Sequence, residues 1–372
     1  MRPSELSLPG GSAARDAECG VLHTIRGRAA AADRGETTLA LDLAALHDAG
    51  ILAAVVAHTG VDGDTAAGVR LLRRIGRASL SVGRIVEGHA NALRLIQLYG
   101  TSRQRLALGS IAALGGIFGV WGAEGRKPVT FAATGSGSGV LMGAKMFCSG
   151  LGLLSVAVVP VQNDAGPLLL LAQVDEPERA DVSAWNVSGM RATASGRYDL
   201  TGVVVEVLGR HGDYLREPHF EGGIWRYCAL HCGGLEALAE GVRLHLLTRG
   251  QSGQPLPADR LARMVLLAQT ARLWVEGSSA AVERAAVTGS DAAVRAALTQ
   301  VLLAREAVET ACLEGISLAE RTMGTAAFAV PSEVDRIRRD LGFFLRQANL
   351  DGKLKQAADA LLADPAPVGE MW

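Results

Sequence analysis

The chain has 372 residues, of which 49% are hydrophobic and 20% are charged, so it can bury a large core and is not a disordered segment. Its 37 basic and 38 acidic side chains nearly cancel and only 4% of residues are aromatic, which argues against binding to nucleic acid or to an anionic membrane. No apolar segment of signal-peptide length precedes Arg15, and the five scattered cysteines are typical of a reduced intracellular protein, so we expect a cytoplasmic protein.

Two stretches resemble other kinds of site but favour a simpler interpretation. Cys228 and Cys232, with His231 between them, lack the second pair of ligands that a zinc site needs, so we expect buried cysteines and no metal. Residues 151–174 form the most apolar region, but they include polar residues and two prolines, and we expect strands there rather than a membrane span.

The first part of the chain has the spacing of apolar residues that is typical of amphipathic helices. Asp64 is a credible N-cap for one of them, because a carboxylate there accepts from the free N–H groups of the first turn. We predict an N-terminal helical domain at residues 1–116, with a loose or weakly helical lead-in at 1–36 and helices at 39–56, from 65 onward, at 79–98 and at 105–114.

Beyond Gly116 the pattern changes to the alternation of strands. Strands are predicted at 117–121, 129–134, 140–148, 153–161, 168–174 and 198–207, which suggests a small barrel or sandwich, and we expect a central β-barrel domain at residues 117–215. The glycine-rich run at 135–139 resembles a phosphate-binding loop, but it lies between two strands, whereas the dinucleotide fingerprint needs a helix after it. We therefore interpret this run as a hairpin turn.

Four long helical segments follow, and each is too apolar to stand alone in water. They are predicted at 229–247, 261–285, 292–323 and 331–344. We expect them to pack as a four-helix bundle in a C-terminal domain at residues 216–372. The predicted chain is therefore α+β and mainly helical, with three parts that share one large buried interior.

Two stretches of the β region resemble the flavin-contacting motifs of the acyl-CoA dehydrogenase superfamily. Residues 119–124, Gly-Val-Trp-Gly-Ala-Glu, are similar to that family's strand end and Thr-Glu-Pro turn, although the Thr is missing and the turn is short. Residues 143–150, Gly-Ala-Lys-Met-Phe-Cys-Ser-Gly, are similar to its Gly-x-Lys-x-(Trp/Phe)-x-(Thr/Ser) strand, with an ordinary barrel strand as the alternative. The resemblance implies that a flavin contacts Trp121, Gly122, Ala123, Glu124, Phe147, Cys148 and Ser149. Strand alternation places Phe147 and Ser149 on one side and Cys148 on the other.

Three further positions carry weaker parts of the same resemblance. Arg191, in Gly-Met-Arg-Ala-Thr-Ala-Ser, either faces the cofactor or ties down a turn. Arg249 matches an arginine that reaches the FAD of a neighbouring subunit in the family, and Ser252 stands where the family has a Phe. Gly324 is what remains of the family's Gln-x-x-Gly-Gly segment. The resemblance implies FAD, with FMN as the other flavin, and assembly as a homodimer or homotetramer.

The sequence departs from acyl-CoA dehydrogenases at the catalytic base. The glutamate that removes the α-proton in that family would fall near Ala348, where no carboxylate stands, although Asp351 is close. Some family members place the base on a bundle helix, which points to Glu236 or to Glu240, with an ion-paired or solvated carboxylate as the alternative for either. We retain Glu236 as a candidate catalytic residue.

His89 is the second candidate catalytic residue. The superfamily also contains flavin monooxygenases that lack the glutamate and use a histidine on the third N-terminal helix, and His89 lies on the predicted helix at 79–98. It shares an apolar face with Ile85, Leu93 and Ile96, so an ordinary core histidine is the alternative.

The sequence thus indicates a flavin-dependent oxidoreductase, with hydride transfer to flavin from a CH–CH group of an acyl-type substrate as the family default. A flavin-dependent monooxygenase is the first alternative, and a catalytically inactive binding or assembly subunit is the second. The expected partners are a small-molecule substrate, an acyl-CoA in the default case, and a flavin reductase or electron-transfer protein. Phe220, Trp225 and Arg226 either line the substrate side or pack between domains.

Overall fold

The computed structural model describes residues 12–251, 253–347 and 349–371. Within these ranges, six helices precede the first strand. Their bounds are Ser12–Asp33 (α1), Ala40–Asp48 (α2), Ile51–Thr59 (α3), Thr65–Ala78 (α4), Leu80–Tyr99 (α5) and Ser102–Ala113 (α6). The predicted N-cap is confirmed, because Asp64 Oδ1 accepts a hydrogen bond of 2.9 Å from the N–H of Ala67.

The sequence predicts a loose or weakly helical lead-in at the N-terminus. Residues 12–33 form a regular helix, which agrees with the helical alternative and corrects the loose one, and residues 1–11 lie outside the described residues. Leu22, Ile25, Ala29 and Ala32 recur at helical spacing and are buried, so this face of α1 packs on the rest of the protein. Burial of that apolar face stabilises a helix whose small residues gave a weak signal by themselves.

The helix predicted at 39–56 is also corrected, because it consists of the two helices α2 and α3. They are bent by 77° at a break where Gly50 adopts a φ of +70°, a conformation that favours glycine. In the described part of the chain no single helix is long and apolar enough to cross a membrane. Helices α2 and α3 would be long and apolar enough only if they were joined, and the bend separates them.

The strands lie between α6 and the long C-terminal helices. Those in the described residues are Phe118–Val120 (β1), Thr130–Gly135 (β2), Ser138–Met142 (β3), Ala144–Cys148 (β4), Val156–Val161 (β5), Leu168–Gln173 (β6), Ala180–Asp181 (β7), Gly196–Asp199 (β8) and Val204–Leu208 (β9). The predicted hairpin turn is confirmed, since β2 and β3 pair in antiparallel fashion with Gly135 opposite Ser138.

The strands form two sheets, as in the sandwich that the sequence allowed beside a barrel, and the central β-barrel stays a prediction. The larger sheet has the order β1-β5-β6-β9-β3-β2 and the smaller has the order β4-β8-β7. In the larger sheet β1 runs parallel to β5, with Phe118 opposite Val156, and the other neighbours are antiparallel. Within the described residues the edge strands β1 and β2 do not pair with each other, so the sheet stays open.

Long helices follow the sheets, and their described bounds are Trp225–Thr248 (α7), Pro255–Thr288 (α8), Asp291–Met323 (α9), Glu333–Phe344 (α10) and Leu350–Ala363 (α11). The predicted packing of long helices is confirmed for α7, α8 and α9, which pack on one another, whereas α11 was not predicted. One continuous core includes Leu72 of α4, Val159 of β5 and Leu230 of α7, as expected for a shared interior. The domain borders at 116 and 215 stay a prediction.

Candidate functional site

The two strand ends that the sequence singles out lie in direct contact. The indole Nε1 of Trp121 donates a hydrogen bond of 3.1 Å to the carbonyl oxygen of Ser149. Trp121 is buried, and its ring packs against Tyr198 with the ring centroids 5.1 Å apart. The turn after β1 and the end of β4 are therefore held together as one wall, which we call the β1–β4 wall.

A buried lysine fixes the turn of this wall. Lys145 in β4 has no exposed surface, and its ammonium donates to the carbonyl oxygen of Pro160 at 2.8 Å and to that of Gly122 at 3.4 Å. It also forms an ion pair with Glu124. A buried ammonium needs such partners, so the position of the turn and the position of Lys145 depend on each other. The sequence analysis quoted Lys145 within the strand motif without giving it a role.

The end of β4 departs from simple alternation. The pairing of β4 with β8 shifts register between Lys145 and Cys148. Phe147 adopts a φ of +53°, a left-handed conformation that costs a non-glycine residue roughly 1–3 kcal/mol and is concentrated at functional sites. Cys148 is fully buried and Phe147 is 61% exposed, so the two face opposite sides as expected. The ring of Phe147 lies edge-on to that of Trp185, with the centroids 6.1 Å apart, and is otherwise exposed.

Three hydroxyl groups form a chain behind the wall. Thr193 Oγ1 donates to the carbonyl oxygen of Met190 at 2.7 Å and lies 2.7 Å from Ser195 Oγ, which lies 2.8 Å from Ser149 Oγ. Ser195 therefore holds the Ser149 hydroxyl from one side, and a hydroxyl can both donate and accept hydrogen bonds. Ser149 is only half-buried, so this hydroxyl is also placed to bond a polar group on a bound molecule. The sequence analysis gave Thr193 and Ser195 no role.

Arg191 is engaged with an N-terminal helix. Its guanidinium donates to both oxygens of Asp33 in α1, at 3.0 and 2.7 Å, and Arg339 of α10 donates to the same carboxylate. Burial opposes ionisation of Asp33, but the two arginines lower its pKa to about 2. Arg191 therefore ties a turn to α1, which is the second of its two expected roles, and contact with a cofactor stays a prediction.

His89 lines a cavity among the N-terminal helices. This cavity of about 620 Å³ lies between α2, α3, α5 and α6 and is also lined by His47 and Leu52. The Nδ1 atom of His89 accepts a hydrogen bond of 3.1 Å from the N–H of Phe118 in β1. Burial, and to a lesser extent His47, lower the pKa of His89 to about 4, so the ring is neutral. The inward orientation of His89 is as expected, and its catalytic role stays a prediction.

Glu236 lies between helices of the bundle and α4. Its carboxylate pairs with Arg73 at 2.9 Å and is mostly buried. Burial raises the pKa of Glu236, and Arg73 partly offsets this shift. The pairing matches the ion-paired alternative considered for this residue, and its role as a base stays a prediction. Ala348, the position of the missing glutamate, lies outside the described residues.

Arg249 and Gly324 lie at helix ends. Arg249 is exposed and follows the last residue of α7, and Gly324 follows α9 with a φ of +59°. The 24 residues of α7 separate its ends by about 35 Å, so Arg249 is remote from the side of the protein where α7 begins. The predicted contact of Arg249 with the flavin of a neighbouring subunit is untested. Ser252 lies outside the described residues.

A polar cavity of about 270 Å³ adjoins the turn of the β1–β4 wall. It lies between α5, the end of β1 and the first turn of α7, and a methyl group on Gly122 would lie 3.8 Å from the hydroxyl of Tyr214 in its lining. Phe220 and Arg226 line this polar cavity, whereas Trp225 is fully buried beside it. Phe220 and Arg226 thus lie where they could line a substrate site, whereas Trp225 is a packing residue.

The polar face of α5 supplies much of the lining, and the sequence analysis missed it. Arg84, Glu87, Asn91 and Arg94 follow one another at spacings of three, four and three residues, which places them on one face of the helix. Most other residues of α5 are apolar and at least partly buried, so this polar stripe at helical spacing is a signal for a site in the sequence. It lies apart from the apolar stripe that contains His89.

The charged groups of the polar cavity are largely paired. Glu87 accepts from both Arg84 and Asn91, and Lys353 of α11 forms an ion pair with Glu221. Burial raises the pKa of Tyr214 to about 12, which keeps this hydroxyl protonated at neutral pH.

Comparison of sequences identifies no relative. The sequence matches no protein-family model and no curated protein.

Comparison of structures identifies the fold. The dibenzothiophene monooxygenase of Paenibacillus sp. A11-2, in complex with FMN and indole, has a TM-score of 0.81 at 18% identity, over 97% of this chain and 100% of that chain. The methanesulfinate monooxygenase of Pseudomonas fluorescens has a TM-score of 0.76 at 20% identity, over 97% and 99%. KijD3, in complex with FMN and a dTDP-linked amino-keto sugar, has a TM-score of 0.78 at 19% identity, over 96% and 96%.

This chain therefore has the fold of these three proteins, two of which are in complex with FMN. The resemblance to the acyl-CoA dehydrogenase superfamily is confirmed at the level of the fold. Sequence identities of 18% and 20% are too low to assign the substrates or cofactors of these proteins to this chain.

Proposed function

We propose that this protein is a flavin-dependent oxidoreductase whose flavin binds on the β1–β4 wall. The observation that supports this most is the half-buried hydroxyl of Ser149, which is held by Ser195 and follows the exposed Phe147 by two residues. A hydroxyl and an exposed aromatic ring at the end of one strand suit a flat heterocycle with ring nitrogens and carbonyl groups. FMN is preferred to FAD, because two of the structures with this fold contain FMN.

We infer monooxygenation rather than dehydrogenation of a CH–CH group as the reaction. A base that removes an α-proton must be free to contact that carbon. Among the described residues that line the polar cavity, both carboxylates are occupied, Glu87 by Arg84 and Asn91 and Glu221 by Lys353. Reduced flavin, when bound, supplies two electrons to O₂, so that one oxygen atom enters the substrate and the other leaves as water. Two monooxygenases with this fold support the same choice.

The residues of this chain then have distinct tasks. Ser149 would orient the flavin ring through a hydrogen bond, and Lys145 holds the turn of the β1–β4 wall in place. The polar cavity, whose lining includes Tyr214 beside Gly122, would hold a small-molecule substrate. Arg249 contacts the flavin of a neighbouring subunit in a homo-oligomer. An external flavin reductase supplies the electrons.

Anaerobic spectroscopy of the flavin-loaded protein tests this proposal. We expect the protein to take up FMN, to show no bleaching of the flavin by octanoyl-CoA, and to consume oxygen when reduced FMN is supplied. Bleaching of the flavin by octanoyl-CoA without oxygen would replace the proposal with a dehydrogenase. Absence of any flavin uptake would contradict both and favour an inactive binding or assembly subunit.

A further inference from the structure

Around the polar cavity the described cationic side chains outnumber the carboxylates that pair with them by one. The cations in or against the cavity are Arg84, Arg94, Arg226 and Lys353, and the carboxylates paired with them are Glu87, Glu221 and Glu283. Arg84 pairs with Glu87, Arg94 pairs with Glu283 at 2.8 Å, and Lys353 pairs with Glu221. Arg226 shares Glu283 with Arg94 at the longer distance of 4.0 Å, and no other carboxylate among the described residues pairs with it.

Arg226 is buried with most of its donors unused. Its side chain is 5% exposed, and its Nε donates to Asn91 Oδ1 at 2.5 Å. Its Nη1 is 4.0 Å from Glu283 Oε1, too far for a hydrogen bond, and within the described residues neither terminal nitrogen donates one. A guanidinium has five N–H donors, so four of them have no partner among the described residues, and Arg226 is part of the cavity lining. Burial, followed by the charge of Arg94, lowers the pKa of Arg226 to about 10.

The neighbouring groups do not supply the missing charge. Arg94 donates to the carbonyl oxygens of Thr59 and Gly60 at 2.6 and 2.9 Å and to Glu283, so Glu283 already serves one arginine. Glu283 also accepts from the indole of Trp225 at 3.2 Å.

Two further titratable groups near Arg226 are also unsuitable as its counter-ion. Glu217 is turned toward the N–H groups of Glu221 and Gly222, and burial raises its pKa. Burial lowers the pKa of His219 to about 4, so this ring contributes no charge at neutral pH.

We propose that Arg226 binds the anionic end of the substrate, so that the substrate is a small monoanion with a carboxylate or a sulfur oxyanion. This inference rests on the proposed function, because it takes the polar cavity as the substrate site. An oxyanion accepts two parallel hydrogen bonds from a guanidinium and would neutralise Arg226, which donates no hydrogen bond to a carboxylate among the described residues around the cavity. The other end of the substrate then points to Val120 and Tyr214, next to Gly122 in the β1–β4 wall.

Calorimetric titration with a matched pair of probes tests this inference. Benzoate and benzamide have nearly the same shape, and only benzoate is an anion. Each is titrated into the full-length protein without flavin and with FMN. We expect benzoate to bind at least about tenfold more tightly than benzamide, since a charge-assisted bidentate contact is lost in benzamide. Equal binding of the two probes, or no binding of benzoate, would overturn the inference.

Two substitutions with opposite expected effects locate the anion. Arg226→Met, which removes the charge and keeps the volume, should lower benzoate affinity to that of benzamide, and Arg226→Lys should retain part of it. Glu283→Gln should strengthen benzoate binding, because it unpairs a second cation and keeps an acceptor for Trp225. Benzoate preference that persists in Arg226→Met would overturn the assignment. If Arg226→Met does not fold, Glu283→Gln tests the assignment: tighter benzoate binding supports it, and unchanged or weaker benzoate binding overturns it.

The same titrations separate this inference from the proposed function. Uptake of FMN without any preference for benzoate would leave the flavin site standing and would reject the anion site at Arg226. Preference for benzoate without uptake of FMN or FAD would retain the anion site and reject the flavin-dependent function.

Discussion

Replacement of Lys145 by Met tests how the β1–β4 wall is built. Lys145→Met keeps an unbranched apolar side chain and removes the ammonium that joins Glu124 to the carbonyl oxygen of Pro160. Loss of one partner of a buried ion pair costs roughly 3–5 kcal/mol. Because the side chain of Glu124 is 29% exposed and regains water, we expect a decrease of about 3 kcal/mol in the free energy of unfolding.

Urea denaturation and FMN titration of the same samples measure this effect. Lys127→Met is the matched control, because Lys127 is exposed and the substitution is the same, and we expect a change within about 0.5 kcal/mol. In Lys145→Met the released turn should also weaken FMN binding, which Lys127→Met should leave unchanged. A loss below about 1 kcal/mol together with unchanged FMN affinity would refute the view that Lys145 positions the turn.

Three further predictions concern other parts of the protein. The pKa of His89 falls from 6.5 to about 4 on folding, so its contribution is full above pH 6.5 and is lost as the pH falls toward 4. His89→Asn keeps an acceptor for the N–H of Phe118. It should reduce the loss in the free energy of unfolding between pH 6.5 and pH 4 by up to about 3 kcal/mol. An unchanged pH dependence would contradict the lowered pKa of His89. Leu266 and Leu273 of α8 are 66% and 60% exposed and lie seven residues apart on one face, so the double substitution to Glu should lower the mass measured by light scattering; an unchanged mass would place any subunit interface elsewhere. Asp33→Asn leaves Arg191 without its carboxylate, whereas Arg339 keeps its pair with Asp335, so we expect the free energy of unfolding to fall by about 2 kcal/mol without a change in FMN affinity. A loss of FMN binding would instead connect this carboxylate to the cofactor.

Local signals in the sequence predicted much of the fold. The N-cap at Asp64 needs only residues within one turn, and the hairpin at residues 135–139 needs only its glycines and the flanking alternation. Both are present in the structure. The long apolar stripes of α7, α8 and α9 likewise predicted helices without knowledge of their partners.

Helices α1 and α11 show where such local reasoning fails. Ala, Gly and Arg dominate α1, and its stabilising face is small, so composition suggested a loose segment although Ile25 is fully buried. In α11 the buried residues are Lys353 and Ala357, which do not stand out as an apolar stripe. These two segments are helical in the structure because they pack on surfaces that distant parts of the chain contribute.

The candidate site was predicted where it follows the strand motifs and missed where it depends on tertiary contacts. Contact of Trp121 with Ser149 follows from the two motifs, whereas the burial of Lys145 requires Pro160 from a third segment. Helix α5 is buried on more than one side, so periodicity showed that His89 faces inward but not which cavity it lines.

Equilibrium titration with FMN is the most direct test of the account, with Ser149→Val as the decisive variant. Ser136→Val, exposed in the hairpin turn, is the control for the substitution itself. The account predicts saturable binding of FMN to the unsubstituted protein and to Ser136→Val, and affinity about tenfold weaker in Ser149→Val, because a hydrogen bond to the ring is lost. Equal FMN affinity in Ser149→Val, or no saturable binding of FMN or FAD by the unsubstituted protein, would contradict the claim that the β1–β4 wall is a flavin site.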